Sequence, residues 1–437
     1  MVLSLKKICA LWCLALCGLS AIAFAESEVC PDGMVLQSVQ YEGLIHTNRH
    51  VVLRELSNGI GKVYTAKKFE EEKRRLLDLD LFTDITVTCD TSISRLTYHF
   101  KEIFRWLPAP AGKKTDRDGL MLGLAIANLN VYGEDIRAEV QYRTTVDPFF
   151  EKNEYALYMS SPYLVDLPLG WNVEVLATNS YDNIRDYQEN SLLFDLDFDY
   201  RFFSHVSFLW TIAVRDLYYA ALLPEAGLGF AFDYRDSKLD TRNGVYLEYM
   251  LTHVGVGDTH DSGCVVGVEP CYDWGGEKYW EILTDMRAYF SLWRFVTGAT
   301  ALVRYRPGEV KFYDYFYHGG ANTFRGHEAS SDYLGVHEAL LTLEERIVLM
   351  ERHAASIWDV NFFYGIQLVA GIDGSVLWNE GSPKWKDLET AVYGGIHLVI
   401  PALDRLRFEV GYSPEKGEPI FFFGLFDKVS SSRWRSR

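Results

Sequence analysis

The residue best placed to do chemistry is Arg325, in the stretch 317–327, YHGGANTFRGH. Gly319, Gly320 and Gly326 let the backbone turn sharply there and approach other groups closely. A guanidinium is a permanent cation with a planar fork of donors, suited to gripping a carboxylate through two parallel bonds. Buried without such a partner it costs several kcal/mol, so an inward-facing Arg325 demands acidic company. Catalytic alternatives fall away. His327-Glu328 and His337-Glu338 begin like HExxH, but no second histidine follows at the required spacing. GxSxG and P-loop sequences are absent, and no nucleophile and base are assembled along the chain. Without a CxxC pair, a structural zinc or redox centre is not expected. The sequence therefore predicts no enzyme, no cofactor and no metal.

The segments that must position Arg325 read as strands of about ten residues separated by turns. The clearest is 193–202, LFDLDFDYRF: Phe194, Leu196, Phe198, Tyr200 and Phe202 alternate with Asp195, Asp197, Asp199 and Arg201. Leu406, Phe408, Val410 and Tyr412 oppose Arg405, Arg407 and Glu409 in the same way, and Val245, Leu247 and Tyr249 oppose Glu248. A soluble core would have to hide those charges at great cost. In a transmembrane barrel the apolar face meets lipid and the charged face lines the lumen. About ten strands precede the glycine-rich stretch and five follow it. Such barrels carry an even number of strands, so Ile103 to Ala109 is read as the missing one of a transmembrane antiparallel β-barrel over 103–427. Pro108 and Pro110 remove two ladder donors from that first strand, which carries Trp106. It is therefore expected to pair poorly with the last strand, Ile420 to Phe426, which carries Phe422: a lateral seam.

Ahead of the barrel, Met34 to Tyr41 alternates like a short strand. Thr47-Asn48 offers a helix start, Asn58-Gly59 a stop, and Thr65 caps a second helix through Asp80. Two more strands follow, around Ile85-Thr86-Val87-Thr88 and from Arg95 to Phe100. The order β-α-α-β-β within residues 26–102 describes one small α+β domain.

Several motifs, in order, make the chain resemble the BamA and TamA family of outer-membrane assembly and translocation barrels. Tyr41-Glu42-Gly43-Leu44, Leu76-Leu77 and Leu81-Phe82-Thr83-Asp84-Ile85 resemble a POTRA domain, with Asp80 where glycine is usual. Asn128 to Gly133 resembles an early-barrel turn. Asp233 to Gly244 resembles the mid-barrel DxRD…PxxG element, with Asp240 in place of proline. The Gly-Gly pair and Arg325-Gly326 resemble the tip of the family's inward-folded loop, which the resemblance places at 306–335 of a barrel of about sixteen strands. Leu341 to Leu349 and Ile366 to Trp378 resemble the strands behind it, and the last two segments the closing hairpin. The resemblance implies a role in inserting or translocating polypeptides through POTRA capture and a lateral seam. Its implied partners are unfolded outer-membrane or secreted polypeptides, outer-membrane lipid and accessory periplasmic proteins. It also implies Asp373 and Glu344 as acidic partners of Arg325. The alternation agrees, with Thr342, Glu344 and Arg346 on one face. The rival readings are a passive channel or surface antigen without clients, and a two-partner-secretion-like transporter, which usually carries two POTRA domains and a plug helix.

Residues 1–25 read as a secretory signal peptide: Lys6 and Lys7, an apolar run, then Ala23-Phe24-Ala25. Downstream, no apolar run reaches the ~20 residues of a spanning helix. The formal charge of −17 becomes −19 without that segment, which would repel nucleic acid. Of seven cysteines, four remain after the signal, an even number in an oxidising compartment. Four cysteines allow three pairings. Cys264 with Cys271, in one short loop, and Cys30 with Cys89, both in the N-terminal domain, are the pairs expected. Residues 428–437 form a polar tail, where such barrels usually end on an aromatic residue.

Overall fold

The computed structural model describes residues 30–115, 119–146, 152–217, 222–237, 240–255, 278–320, 323–357, 360–400 and 406–425. Residues 1–25, expected to be a signal peptide, and Cys264, Cys271, Phe426 and the expected polar tail lie outside them. Among the described residues no helix is long and apolar enough to cross a membrane.

The N-terminal unit runs β1 (Ser38–Glu42), α1 (Arg49–Leu53), α2 (Ala66–Asp78), β2 (Phe82–Asp90) and β3 (Arg95–Glu102). Its sheet has the order β1-β3-β2, with β1 parallel and β2 antiparallel to the central β3. Thr65 starts α2 by accepting from the Lys68 amide at 3.3 Å, which satisfies one of the orphan donors of the first turn. The helices cover one face of the sheet. Leu36, Val52, Leu76, Phe82, Ile85, Leu96 and Tyr98 form its core. One charge is buried there: the Glu72 carboxylate accepts from the Ser57 and Asn58 amides at 2.6 Å and from Tyr98 Oη at 2.7 Å. Cys30 lies in this core and Cys89 packs against it. The structure holds both as thiols without a bridge, so the expected Cys30–Cys89 disulfide is not formed in it.

Most of the remaining described residues form one antiparallel sheet. Its first strands are β4 (Trp106–Thr115), β5 (Gly119–Val131), β6 (Ile136–Thr145), β7 (Lys152–Ser161), β8 (Leu169–Asp182) and β9 (Tyr187–Phe203). Then come β10 (Val206–Asp216), β11 (Leu222–Asp233), β12 (Gly244–Val254), β13 (Lys278–Leu292) and β14 (Phe295–Tyr305), which β15 (Gly308–Glu309) briefly continues. A loop carrying a small hairpin, β16 (Phe316–Tyr317) with β17 (Leu334–Gly335), precedes the last five strands. These are β18 (His337–Ile357), β19 (Val360–Trp378), β20 (Glu389–Val399), β21 (Leu406–Tyr412) and β22 (Pro419–Leu425). Among the described residues sixteen strands are long, and each pairs with its neighbours in sequence.

Alternation sorts the side chains as lipid and lumen would. Phe194 and Phe202 point outward, 44% and 58% exposed, while Asp195 between them is fully buried. Phe408 and Val410 face outward around a buried Glu409. Aromatic residues cluster at the strand ends nearer the N-terminal unit: Phe203 and Trp293 stand 73% and 79% exposed, as in an interfacial girdle.

The sheet curls into a ring whose ends scarcely meet. β4 and β22 share two residue pairs, Lys113 with Gly424 and Gly112 with Leu425. Every other pair of neighbouring long strands shares six or more. Pro108 and Pro110 lie just before the two β4 residues that do pair. Proline has no amide hydrogen to offer a ladder, which is why it belongs on edges.

The N-terminal unit is tied to one end of the ring. Asn48 donates to the Tyr132 carbonyl and the Glu134 carboxylate in the β5–β6 turn, and His50 pairs with Glu134 at 2.7 Å. Gly133 holds φ +78°, and a β-carbon there would meet the His46 carbonyl at 2.3 Å. Tyr163 Oη donates to Glu55 at 2.8 Å and Ser237 Oγ to Asp78 at 2.6 Å. The β18–β19 hairpin reaches furthest: Asn361 Nδ2 donates to the Glu102 carbonyl at 2.9 Å, and the Phe104 amide to the Asn361 carbonyl at 3.1 Å.

Candidate functional site

The loop between β15 and β18 leaves the ring at the end opposite the N-terminal unit and folds into the lumen. Two sets of contacts hold it. Near its entry, Arg306 Nε donates to Glu281 at 2.7 Å and its guanidinium lies 3.5 Å from the centre of the Phe316 ring. Arg215 pairs with Asp314 at 2.8 Å, and Arg185 Nε donates to the Tyr315 carbonyl at 3.0 Å. Arg304 pairs with Glu338, which also pairs with His318 at 3.0 Å. These arginines and acids face the lumen, so the loop is seated on charges that a lipid-facing surface could not carry.

The second set is the tip. Gly319 and Gly320 hold φ +129° and +96°, a backbone that residues with a β-carbon avoid. Thr323 Oγ1 closes the turn by donating to the Gly319 carbonyl at 2.7 Å. Beyond it Arg325 is buried. Its Nε and Nη2 donate to the two oxygens of Asp373, each at 2.7 Å, and its amide to Asp373 Oδ2 at 3.2 Å. Nη1 donates to Glu409 Oε1 at 3.0 Å, and the guanidinium carbon lies 3.2 Å from the centre of the Tyr393 ring. Asp373 also accepts from Thr342 at 2.8 Å. Gly326 could not be larger, since a β-carbon would lie 2.4 Å from the Phe324 ring. His327 stacks on Tyr333 at 3.6 Å and pairs with Glu389 at 2.8 Å.

Arg325 and Asp373 thus meet, side by side in the lumen. The second carboxylate is Glu409, and this corrects the expected Glu344. Glu344 instead accepts from Tyr393 Oη at 2.7 Å and lies 3.5 Å from Arg346 Nε. Tyr393 was also missed, as were two glycines that make room for the anchor. A β-carbon on Gly371 would meet the Tyr393 ring at 2.5 Å, and one on Gly411 would meet the Arg325 carbonyl oxygen at 1.8 Å. The alternation of 406–412 had put Glu409 on the charged face, so its lumenal position was legible; its partner was not.

Of the residues assigned to the seam, Trp106 and Pro108 pair with Asn128 and Ile126 of β5, not with β22. The contact falls instead at Gly112 and Lys113. Phe422 is buried and pairs with Glu409 of β21, while Phe421 faces outward.

No family model matches the chain, and no curated protein matches it. Solved structures do. BamA from Haemophilus ducreyi lacking POTRA domains 1–3 is 12% identical, with a TM-score of 0.50 over 89% of this chain and 83% of that one. CdiB from Escherichia coli is 13% identical, with 0.56 over 89% and 76%. CdiB from Acinetobacter baumannii is 12% identical, with 0.53 over 90% and 73%. The chain has the fold of these outer-membrane barrels. At such identities the likeness is one of architecture.

Proposed function

We propose that this protein sits in a bacterial outer membrane and assists the insertion or translocation of polypeptides there. The N-terminal unit acts as a POTRA domain on the periplasmic side, capturing an extended client by adding it to a sheet edge. The observation that carries the reading is the two-pair contact between β4 and β22. A sheet edge left largely unpaired between apolar outer faces can admit another strand at little cost, whereas a uniformly paired ring cannot. The β-α-α-β-β order of the N-terminal unit and the fold shared with BamA and CdiB support it. No catalytic role is proposed. Depletion of the protein followed by quantitative proteomics of the outer membrane tests this. The expected result is a selective fall of other barrel proteins or of secreted polypeptides. Unchanged levels with altered solute permeability would replace it with a passive channel.

A further inference from the structure

Three side chains from three strands converge beside the Arg325 anchor: Glu344 of β18, His397 of β20 and Glu409 of β21. One donor atom of each lies within 4.8 Å of the other two. His397 Nε2 is already 2.8 Å from Glu409 Oε1. Glu409 and His397 are buried, while the Glu344 side chain keeps 19% exposure, so the triplet is reachable from the lumen.

The second observation is the state of Glu409. Arg325 Nη1 and His397 Nε2 both reach its Oε1, leaving Oε2 buried without a hydrogen-bond partner. A buried carboxylate oxygen with no donor is costly, and a cation satisfies it as well as a proton donor does. The residue types narrow the choice. One imidazole nitrogen with two carboxylate oxygens suits zinc or its transition-metal neighbours better than calcium or magnesium, which take oxygen alone. Three protein ligands and an open position is a common arrangement for zinc. Tyr393 Oη, donating to Glu344 Oε2 at 2.7 Å, supplies the outer partner that orients a ligating carboxylate.

We propose that Glu344, His397 and Glu409 form a site for a divalent transition metal of the zinc class inside the barrel. Bonds of about 2.0–2.2 Å require the three donors to close up by roughly an ångström. Glu409 must turn toward the cation to do so. The metal therefore competes with Arg325 Nη1 for Glu409, while the two Asp373 bonds hold the arginine in place.

The test uses the full chain refolded in detergent micelles with its cysteines alkylated, so that thiols cannot bind metal. Zinc is titrated by calorimetry, and copper(II) is added as a spectroscopic probe. One equivalent of zinc is expected, with a single nitrogen coupled to copper in its paramagnetic resonance spectrum. His397→Gln weakens binding about tenfold or more, the scale on which losing a metal partner acts, whereas His99→Ala in the N-terminal unit leaves it unchanged. The wild-type copper spectrum needs no variant, so it decides the matter even if His397→Gln fails to fold. No zinc bound, a spectrum without nitrogen, or full binding by folded His397→Gln each overturns the proposal. Binding is read alone, so the outcome is independent of client insertion.

Discussion

The carbonyl oxygen of Arg325 lies against the α-carbon of Gly411, so close that a β-carbon there would sit 1.8 Å from it. The loop tip is thus seated on the backbone of β21 as well as on side chains. Gly411→Ala is predicted to lift the tip and pull Arg325 from Asp373. Separating a buried pair costs about 3–5 kcal/mol. The temperature at which the compact barrel unfolds on semi-native gels should fall accordingly; an unchanged temperature would mean the backbone contact is dispensable.

Arg325 itself gives the sharper comparison. Arg325→Ala leaves Asp373 and Glu409 buried without their cation and should destabilise by a similar ~3–5 kcal/mol. Arg325→Lys keeps the charge but cannot make the two parallel 2.7 Å bonds to Asp373. It should recover stability in part only. Equal stability of the lysine variant and the wild type would show that charge alone matters.

The seam can be locked. Gly112 and Leu425 are register partners in antiparallel strands, whose opposed α-carbons lie about 4.5–5.5 Å apart, within disulfide reach. Gly112→Cys with Leu425→Cys should oxidise to a bridge, leave the barrel folded and stop client insertion until a reductant is added. Full activity in the bridged protein would remove lateral opening from the mechanism.

Tyr64 supplies a pH signature in the N-terminal unit. Burial first, then the neighbouring Cys30 and Cys89, pushes its hydroxyl up to about 12 from an ordinary 10.0. The folded state therefore favours the neutral phenol. That stability is complete below pH 10 and is lost as pH rises from 10 towards 12. Fluorescence melts of the unit should show the decline over that window, and Tyr64→Phe should abolish this part of it.

The same two cysteines share one core. In an oxidising compartment they should convert to a disulfide, and non-reducing peptide mapping of exported protein would show it. Bridging removes both thiolate charges near Tyr64, so its hydroxyl is raised less and the alkaline decline, still starting near pH 10, should end at lower pH and be smaller. Mapping that recovers Cys30 and Cys89 as thiols would leave the core as it stands here.

Much of this architecture was legible because period-two alternation is strictly local. Phe194 and Asp195 reveal their faces without knowledge of any partner strand, and the prolines of β4 mark an edge by chemistry alone. The partners of Arg325 were harder. Thr342 and Glu344 share a face, but Thr342 is the residue opposite Asp373, while Glu344 lies opposite Gly371. Two residues along a strand is about 6.8 Å, enough to set Glu344 apart from the Asp373 position and beside Tyr393 and Arg346 instead. Glu409 arrives from β21, 36 residues beyond Asp373, through the curvature of the ring. Such meetings depend on how strands stagger around a barrel, which no single segment records.

The β18–β19 hairpin has one consequence of a mechanical kind. On β19, Asp373 grips the loop arginine and Asn361 grips the start of the barrel beside the N-terminal unit. Twelve residues of extended strand separate them, about 40 Å of stiff ribbon. One strand is thus the spine to which both the lumenal loop and the N-terminal unit are fastened. A sideways pull on that unit would run along β19 and arrive at the arginine as shear, across bonds that resist stretching better than sliding.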